Sequence, residues 1–254
     1  MIRSIVIGRA TAKIVTAIAV LVAGNSLHAA EAVRWSYSGA TGPEHWAELA
    51  PEYAACEIGV NQSPVDITET IASELDPLDF DYGSGSTIVV NNGHTLQVNA
   101  RPGSWLRVEG EDLQLQQMHV HSPSEHQING ELFLLEAHFV HQNEDGQLAV
   151  VAVLFRAGEW NADLAEIGKV APLKIGGNAP VDVDFGKVEL HAKHDAYFRY
   201  NGSLTTPSST EGVRWYVLKS VGTLSPDQAA RFVELISEDA RGPQPLSARI
   251  IMEH

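Results

Sequence analysis

Residues 117–141 read QMHVHSPSEHQINGELFLLEAHFVH and contain five of the chain's eleven histidines. In LQLQQMHVH (113–121) polar and apolar residues alternate, the pattern of a strand whose successive side chains point to opposite faces. His119 and His121 therefore share a face, and Gln117 shares it with them. ELFLLEAHFVH (131–141) alternates in the same way, which sets Glu136, His138 and Val140 on one face and Phe139 and His141 on the other. Asn129-Gly130 between the two runs is a turn signal. Folding the chain there as an antiparallel pair predicts that His121 and His138 lie roughly opposite each other, so that three imidazoles converge.

A single histidine on a strand is ordinarily a hydrogen-bonded core or surface residue, and H-x-H also occurs by chance. The joint pattern points elsewhere, because imidazoles, an amide and a carboxylate are costly to bury together on an apolar strand face. Three neutral nitrogens in a tripod leave one position of a tetrahedral zinc site open, as catalytic sites do, whereas closed structural sites usually add cysteine. With one cysteine in the chain, a closed site of several thiolates is excluded. The expectation is one Zn2+ per chain on His119, His121 and His138. Gln117 and Glu136, each two residues before a histidine and on its face, are placed to bond the rings' other nitrogens.

Working outward, the start MIRSIVIGRATAKIVTAIAVLVAGNSLHAAEA carries Arg3, Arg9 and Lys13, no acid before Glu31, and an apolar run too short to span a bilayer. It reads as a secretory signal peptide over 1–32, with cleavage near Ala30 to Ala32. The protein is then exported, periplasmic or otherwise secreted, with no stable membrane insertion once the signal is gone. Residues 33–254 are long enough for one domain and show no linker or repeat. The formal net charge of −15 argues against nucleic acid or an anionic membrane as partner.

The rest of the chain reads as scaffold. STIVVNNGHTLQVNA (86–100) is a hairpin around Asn92-Gly93, and QLAVVAVLFRAG (147–158) a buried strand. Leu164, Ile167 and Val170 mark a helical face that Pro172 ends. Ser225-Pro226 opens a second helix burying Phe232, Leu235 and Ile236. His191 and His194 are spaced H-x-x-H without a nearby third ligand and read as surface residues. Trp35 and Trp46 dock an irregular arm over 34–53.

Q-x-H-x-H (117–121), S-E-H (124–126) and E-x-H-x-V-H (136–141), with NQSPVDI (61–67), NNGH (91–94), GSLTTP (202–207) and EGVRW (211–215), closely resemble the motifs of the α-class carbonic anhydrases, in the family's order and from about Trp35 to Arg249. The resemblance implies an α+β fold, a single domain on a large, twisted, mostly antiparallel sheet with short peripheral helices. It implies reversible hydration of carbon dioxide to bicarbonate and a proton by zinc-bound hydroxide. By the same likeness Thr205 orients the hydroxide with Glu125 behind it, Thr206 lies beside it, and His94 shuttles the proton. Tyr37, Asn92 and Gln97 match positions along the water path, and Val140, Val150, Leu204, Val213 and Trp215 form the carbon dioxide pocket. Secreted relatives often pair a cysteine near Cys56 with one after TTPP; here Ser209 stands at that position, so the thiol is either buried and inert or bridges a homodimer. Asp239 replaces a usual asparagine, with little effect expected because the family's contact uses backbone carbonyl. Two other readings remain: a weakly catalytic carbonic-anhydrase-like binding protein, and a zinc esterase.

Overall fold

The computed structural model of the chain describes residues 33–185 and 196–254. The signal peptide read at 1–32 and the H-x-x-H of His191 and His194 lie outside them. The alternating runs become neighbouring antiparallel strands, Glu111–His121 and Leu135–Gln142. The principal strands are β1 (Ser84–Asn91), β2 (Leu96–Asn99), β3 (Glu111–His121), β4 (Leu135–Gln142), β5 (Leu148–Ala157), β6 (Asn178–Asp184), β7 (Tyr197–Ser203) and β8 (Glu211–Leu218). They lie in the order β6-β1-β2-β3-β4-β5-β8-β7, and short pairings with Met252–Glu253 and Ile71–Ala72 extend the sheet past β7. Pairing among the principal strands is antiparallel except between β5 and β8.

A strand covered on both faces has no reason to alternate, which explains the unbroken apolar run of β5. Met118, Val120, Ala137, Phe139 and Val151 belong to one core. Helices α1 (Ala162–Val170) and α2 (Pro226–Ile236) close that core with Leu164, Ile167, Phe232 and Leu235. Each such fully buried side chain contributes about 1.5–3 kcal/mol. Asn161 caps α1 by accepting from the Leu164 N–H, and Ser225 with Gln228 forms a capping box on α2. The opposite face carries a second cluster around Val150, Ala152, Val213 and Trp215. The face of β3 and β4 bearing His119, His121 and His138 looks toward this second cluster, because β4 alternates between the two.

One expectation needs correction. His138 pairs with His119, and His121 pairs with Glu136. Asn129-Gly130 does turn, with φ of 51° and 75°, but it closes a small hairpin of Gln127–Ile128 with Glu131–Leu132 in a separate sheet. The connection between β3 and β4 is thus an excursion, not a tight turn, and a turn signal alone does not set the register of strands that do not flank it directly.

Candidate metal centre and active site

The three ring centroids are 4.8–5.1 Å apart, and each ring offers a nitrogen within 4.8 Å of the others. Hydrogen bonds assign the tautomers. His121 Nδ1 donates to the Asp239 carbonyl at 2.8 Å, and a carbonyl only accepts, so the lone pair sits on Nε2. His119 Nδ1 donates to Gln117 Oε1 at 3.0 Å, which likewise leaves Nε2. His138 Nε2 donates to Glu136 Oε1 at 2.7 Å and leaves Nδ1. Burial holds His119 well below the ordinary imidazole range and brings His138 down to about 4, so both are neutral, as a ligand must be.

These residues fit a divalent cation. His121 Nε2 is buried without a hydrogen-bond partner, and Glu125 Oε2, 3.5 Å away, is also unpartnered. A buried ring lone pair that no donor satisfies is costly unless a cation stands among the three rings. A second candidate group, His126, Glu136 and His138, shares members with the first. Its own hydrogen bonds fill it: His126 Nδ1 donates to Glu136 Oε1 at 2.6 Å, and Nε2 meets the Tyr200 hydroxyl at 2.6 Å.

Glu136 is the hub. Its Oε2 accepts the N–H groups of Glu125 and His126, both at 2.8 Å. Burial alone would raise its pKa, but His126 and His138 hold it well below the usual range. Glu125 is pushed up to about 8 by burial and by the Glu136 charge, against the opposing hydrogen bond from the Thr205 hydroxyl. A dication on the three rings acts in the opposite direction and favours the carboxylate. Glu125 Oε1 accepts the Arg241 N–H at 2.9 Å. The Arg241 guanidinium in turn donates to Gln62 Oε1, the Ser63 carbonyl and the Cys56 carbonyl.

A cavity of about 160 Å³ opens beside His119, His121 and Gln117, with Tyr37, Asn92, His94, Gln97 and Thr206 on its walls. The His94 ring stacks on Trp35 with centroids 3.7 Å apart and planes 5° apart, and partial burial lowers its pKa. Asn92 Oδ1 accepts the N–H groups of His94 and Thr95, both at 2.9 Å, which makes the hairpin turn. Gln97 Nε2 donates to Asn99 Oδ1. Val150, Val213 and Trp215 are buried in the second cluster with Val140 and Leu204 packed against it, and the Trp215 ring lies 4.9 Å from His138. Thr205 is fixed by its loop, where Leu204 N–H bonds the Thr210 carbonyl and Ser209 N–H bonds the Thr206 carbonyl.

Sequence reasoning assigned no role to His126, although its place beside Glu125 in S-E-H was a signal, nor to the Asp239 side chain. Asp239 Oδ1 accepts the Ser122 N–H at 2.7 Å, while its backbone carbonyl serves His121. Cys56 is a free, buried thiol 2.8 Å from the Ser209 hydroxyl.

The chain is similar to known proteins over most of its length. It is 42% identical over 240 residues to a carbonic anhydrase of Neisseria gonorrhoeae, covering 94% of this chain and 92% of that one. With a carbonic anhydrase of Pectobacterium carotovorum it shares 40% over 228 residues, covering 89% and 93%. The solved α-carbonic anhydrase of Thermovibrio ammonificans, in complex with the inhibitor sulfanilamide, superposes with a TM-score of 0.84 at 40% identity, covering 87% of this chain and all of that one. The family model for eukaryotic-type carbonic anhydrases matches residues 41–253. Likeness of this extent, carried on a fold and a histidine cluster of the same kind, means that the chain belongs to the eukaryotic-type, or α-class, carbonic anhydrase family.

Proposed function

We propose that this enzyme hydrates carbon dioxide to bicarbonate and a proton at His119, His121 and His138, with one Zn2+ per chain held by His119 Nε2, His121 Nε2 and His138 Nδ1. The observation that carries the reading is the orphaned His121 Nε2, buried among nitrogens whose ring partners are all committed. Zinc bound there supplies Lewis acidity, which makes water a nucleophile near neutral pH.

The chain's own residues do the rest. In this reading the Thr205 hydroxyl, which acts on the Glu125 carboxyl, donates to it when a substrate-ready oxygen is present, so that its lone pairs accept only from a protonated oxygen and turn that oxygen's free lone pair toward the substrate. The apolar group of Val140, Val150, Leu204, Val213 and Trp215 holds the nonpolar substrate without competing for a polar partner. Tyr37, Asn92, Gln97 and Thr206 line space for water between the histidines and His94, which takes the released proton and passes it to buffer. Gln117, Glu136 and the Asp239 carbonyl orient the three rings.

Metal analysis with stopped-flow carbon dioxide hydration tests this reading. Wild type should carry one zinc per chain and turn over, and His121→Ala should lose both. A His121→Ala protein that kept stoichiometric zinc and full activity would remove the cluster from the mechanism. Residues 1–32 serve in this proposal as a signal peptide that takes the chain to the periplasm. Its support is the basic start and short apolar run, and among the described residues no helix is long and apolar enough to cross a membrane. The N-terminal mass of the protein recovered from the periplasmic fraction checks it: a chain still beginning at Met1 refutes cleavage.

A further inference from the structure

We propose that the Asp239 side chain is a positioning residue for the metal ligand His121, its carboxylate tightening the hold on the cation and making water held at the open position harder to deprotonate. The inference rests on the zinc site proposed above. From sequence, the backbone carbonyl alone was expected to matter at this position, with aspartate and asparagine equivalent. The side chain, however, is 1% exposed and stands on the Nδ1 side of the His121 ring, opposite the Nε2 left for a cation. Its Oδ2 is 3.7 Å from His121 Nδ1.

Two bonds fix it there. Oδ1 accepts the Ser122 N–H at 2.7 Å, and the Asp239 N–H donates back to the Ser122 carbonyl at 3.3 Å. Ser122 follows His121 directly, so the carboxyl and the ring are tied through adjacent residues. Oδ2 is then left buried with no hydrogen-bond partner. An asparagine that kept the Ser122 bond would turn its NH2 toward the Nδ1–H of His121, donor against donor, whereas the carboxyl turns an acceptor to it. Burial pushes this carboxyl up to about 7 and His121 opposes the rise; a dication on the rings opposes it further, so the loaded site carries the carboxylate. The titratable groups that face it are His121, Glu125 and Tyr37. The nearby Arg241 guanidinium is committed to Gln62, Ser63 and Cys56, and among the described residues no lysine or arginine pairs with Asp239. A carboxylate beside the N–H of a ligand imidazole raises the basicity of the ring and its grip on the metal. The same negative charge disfavours loss of a proton from water at the open position.

Asp239→Asn keeps the shape of the side chain and the acceptor for Ser122, so it isolates the charge. Two measurements on wild type and variant test it: zinc affinity at pH 8 by competition with a chelator, and a pH titration of the visible spectrum of the cobalt-substituted protein. Asp239→Asn should bind zinc about tenfold more weakly. Its cobalt spectrum should change at a midpoint lower than that of wild type by roughly half a pH unit or more. A residue that only braced the fold would weaken the metal without moving that midpoint to acid. Asp239→Ala, which removes the buried polar group altogether, should show the same acid displacement and carries the test if the amide upsets the packing. Unchanged zinc affinity in Asp239→Asn overturns the proposal, as does a midpoint that stays in place or moves to higher pH. A wild-type protein that binds no zinc overturns the proposed metal site itself, and this inference with it.

Discussion

Replacing Ser209 with cysteine should staple this enzyme to itself. Cys56 Sγ and Ser209 Oγ are 2.8 Å apart and 153 residues apart in sequence. A Cβ–S bond is longer than a Cβ–O bond, which takes up part of the difference between that contact and an S–S bond of ~2.0 Å. Ser209 has a φ of 56°, but serine and cysteine both carry a Cβ, so the exchange adds no backbone strain of its own. Chain entropy for a closed loop of this length gives about 5 kcal/mol, and bridges in practice deliver ~2–4 kcal/mol. Losing the present contact removes about 1 kcal/mol, which leaves a net gain of ~1–3 kcal/mol. In a domain of this size each kcal/mol is worth about 2–4 °C, so Ser209→Cys should melt roughly 2–12 °C higher. The assay is a thermal melt with and without reductant beside a free-thiol titration. Hydration activity should persist, since the Ser209 N–H bond that braces Thr206 is a backbone one. A protein with no free thiol that melted no higher than wild type, oxidised or reduced, would refute the reasoning.

Thr205→Ala should keep its zinc and lose hydration activity by about a hundredfold or more, and an unchanged rate would take the hydroxyl out of the mechanism. His94→Ala should be slow in dilute buffer and recover on adding imidazole; equal rates with wild type in dilute buffer would leave the shuttle unsupported. Glu136→Gln should weaken zinc binding by about 10–100-fold, read by competition with a chelator, and undiminished affinity would contradict its role as hub. His141, on the other face of β4, is held neutral by burial with a pKa of about 3, and its Nε2 bonds the Tyr82 hydroxyl. Because the folded value lies below the unfolded one near 6.5, its stabilising contribution is complete above pH 6.5 and is lost as pH falls toward 3. At pH 4.5 that loss is about 3 kcal/mol. Urea melts of His141→Phe at pH 7 and pH 4.5 should therefore show a smaller acid loss than wild type, and matching losses would sink this account.

Much of the site was legible because it is local. Gln117 with His119, and Glu136 with His138, are two residues apart on strands, and a period of two brings such pairs to one face whatever the rest of the chain does. The helices were legible for a similar reason: Asn161 and Ser225 cap them through bonds only three residues long. The roles expected for His94, Thr205 and the apolar group came from resemblance, since neither spacing nor periodicity distinguishes a loop threonine or a core valine that serves chemistry.

By itself the sequence determined which side chains share a face, where helices start, and that three histidines with two polar neighbours form one constellation. Only the tertiary structure decided that His138 stands against His119, that the Asp239 carbonyl reaches His121 across 118 residues, and that Arg241 reaches Glu125 across 116. The physical reason is range. Alternation and capping are set by bond geometry over two to four residues, whereas strand register and the arrival of a distant carbonyl depend on how both faces of a long sheet pack at once.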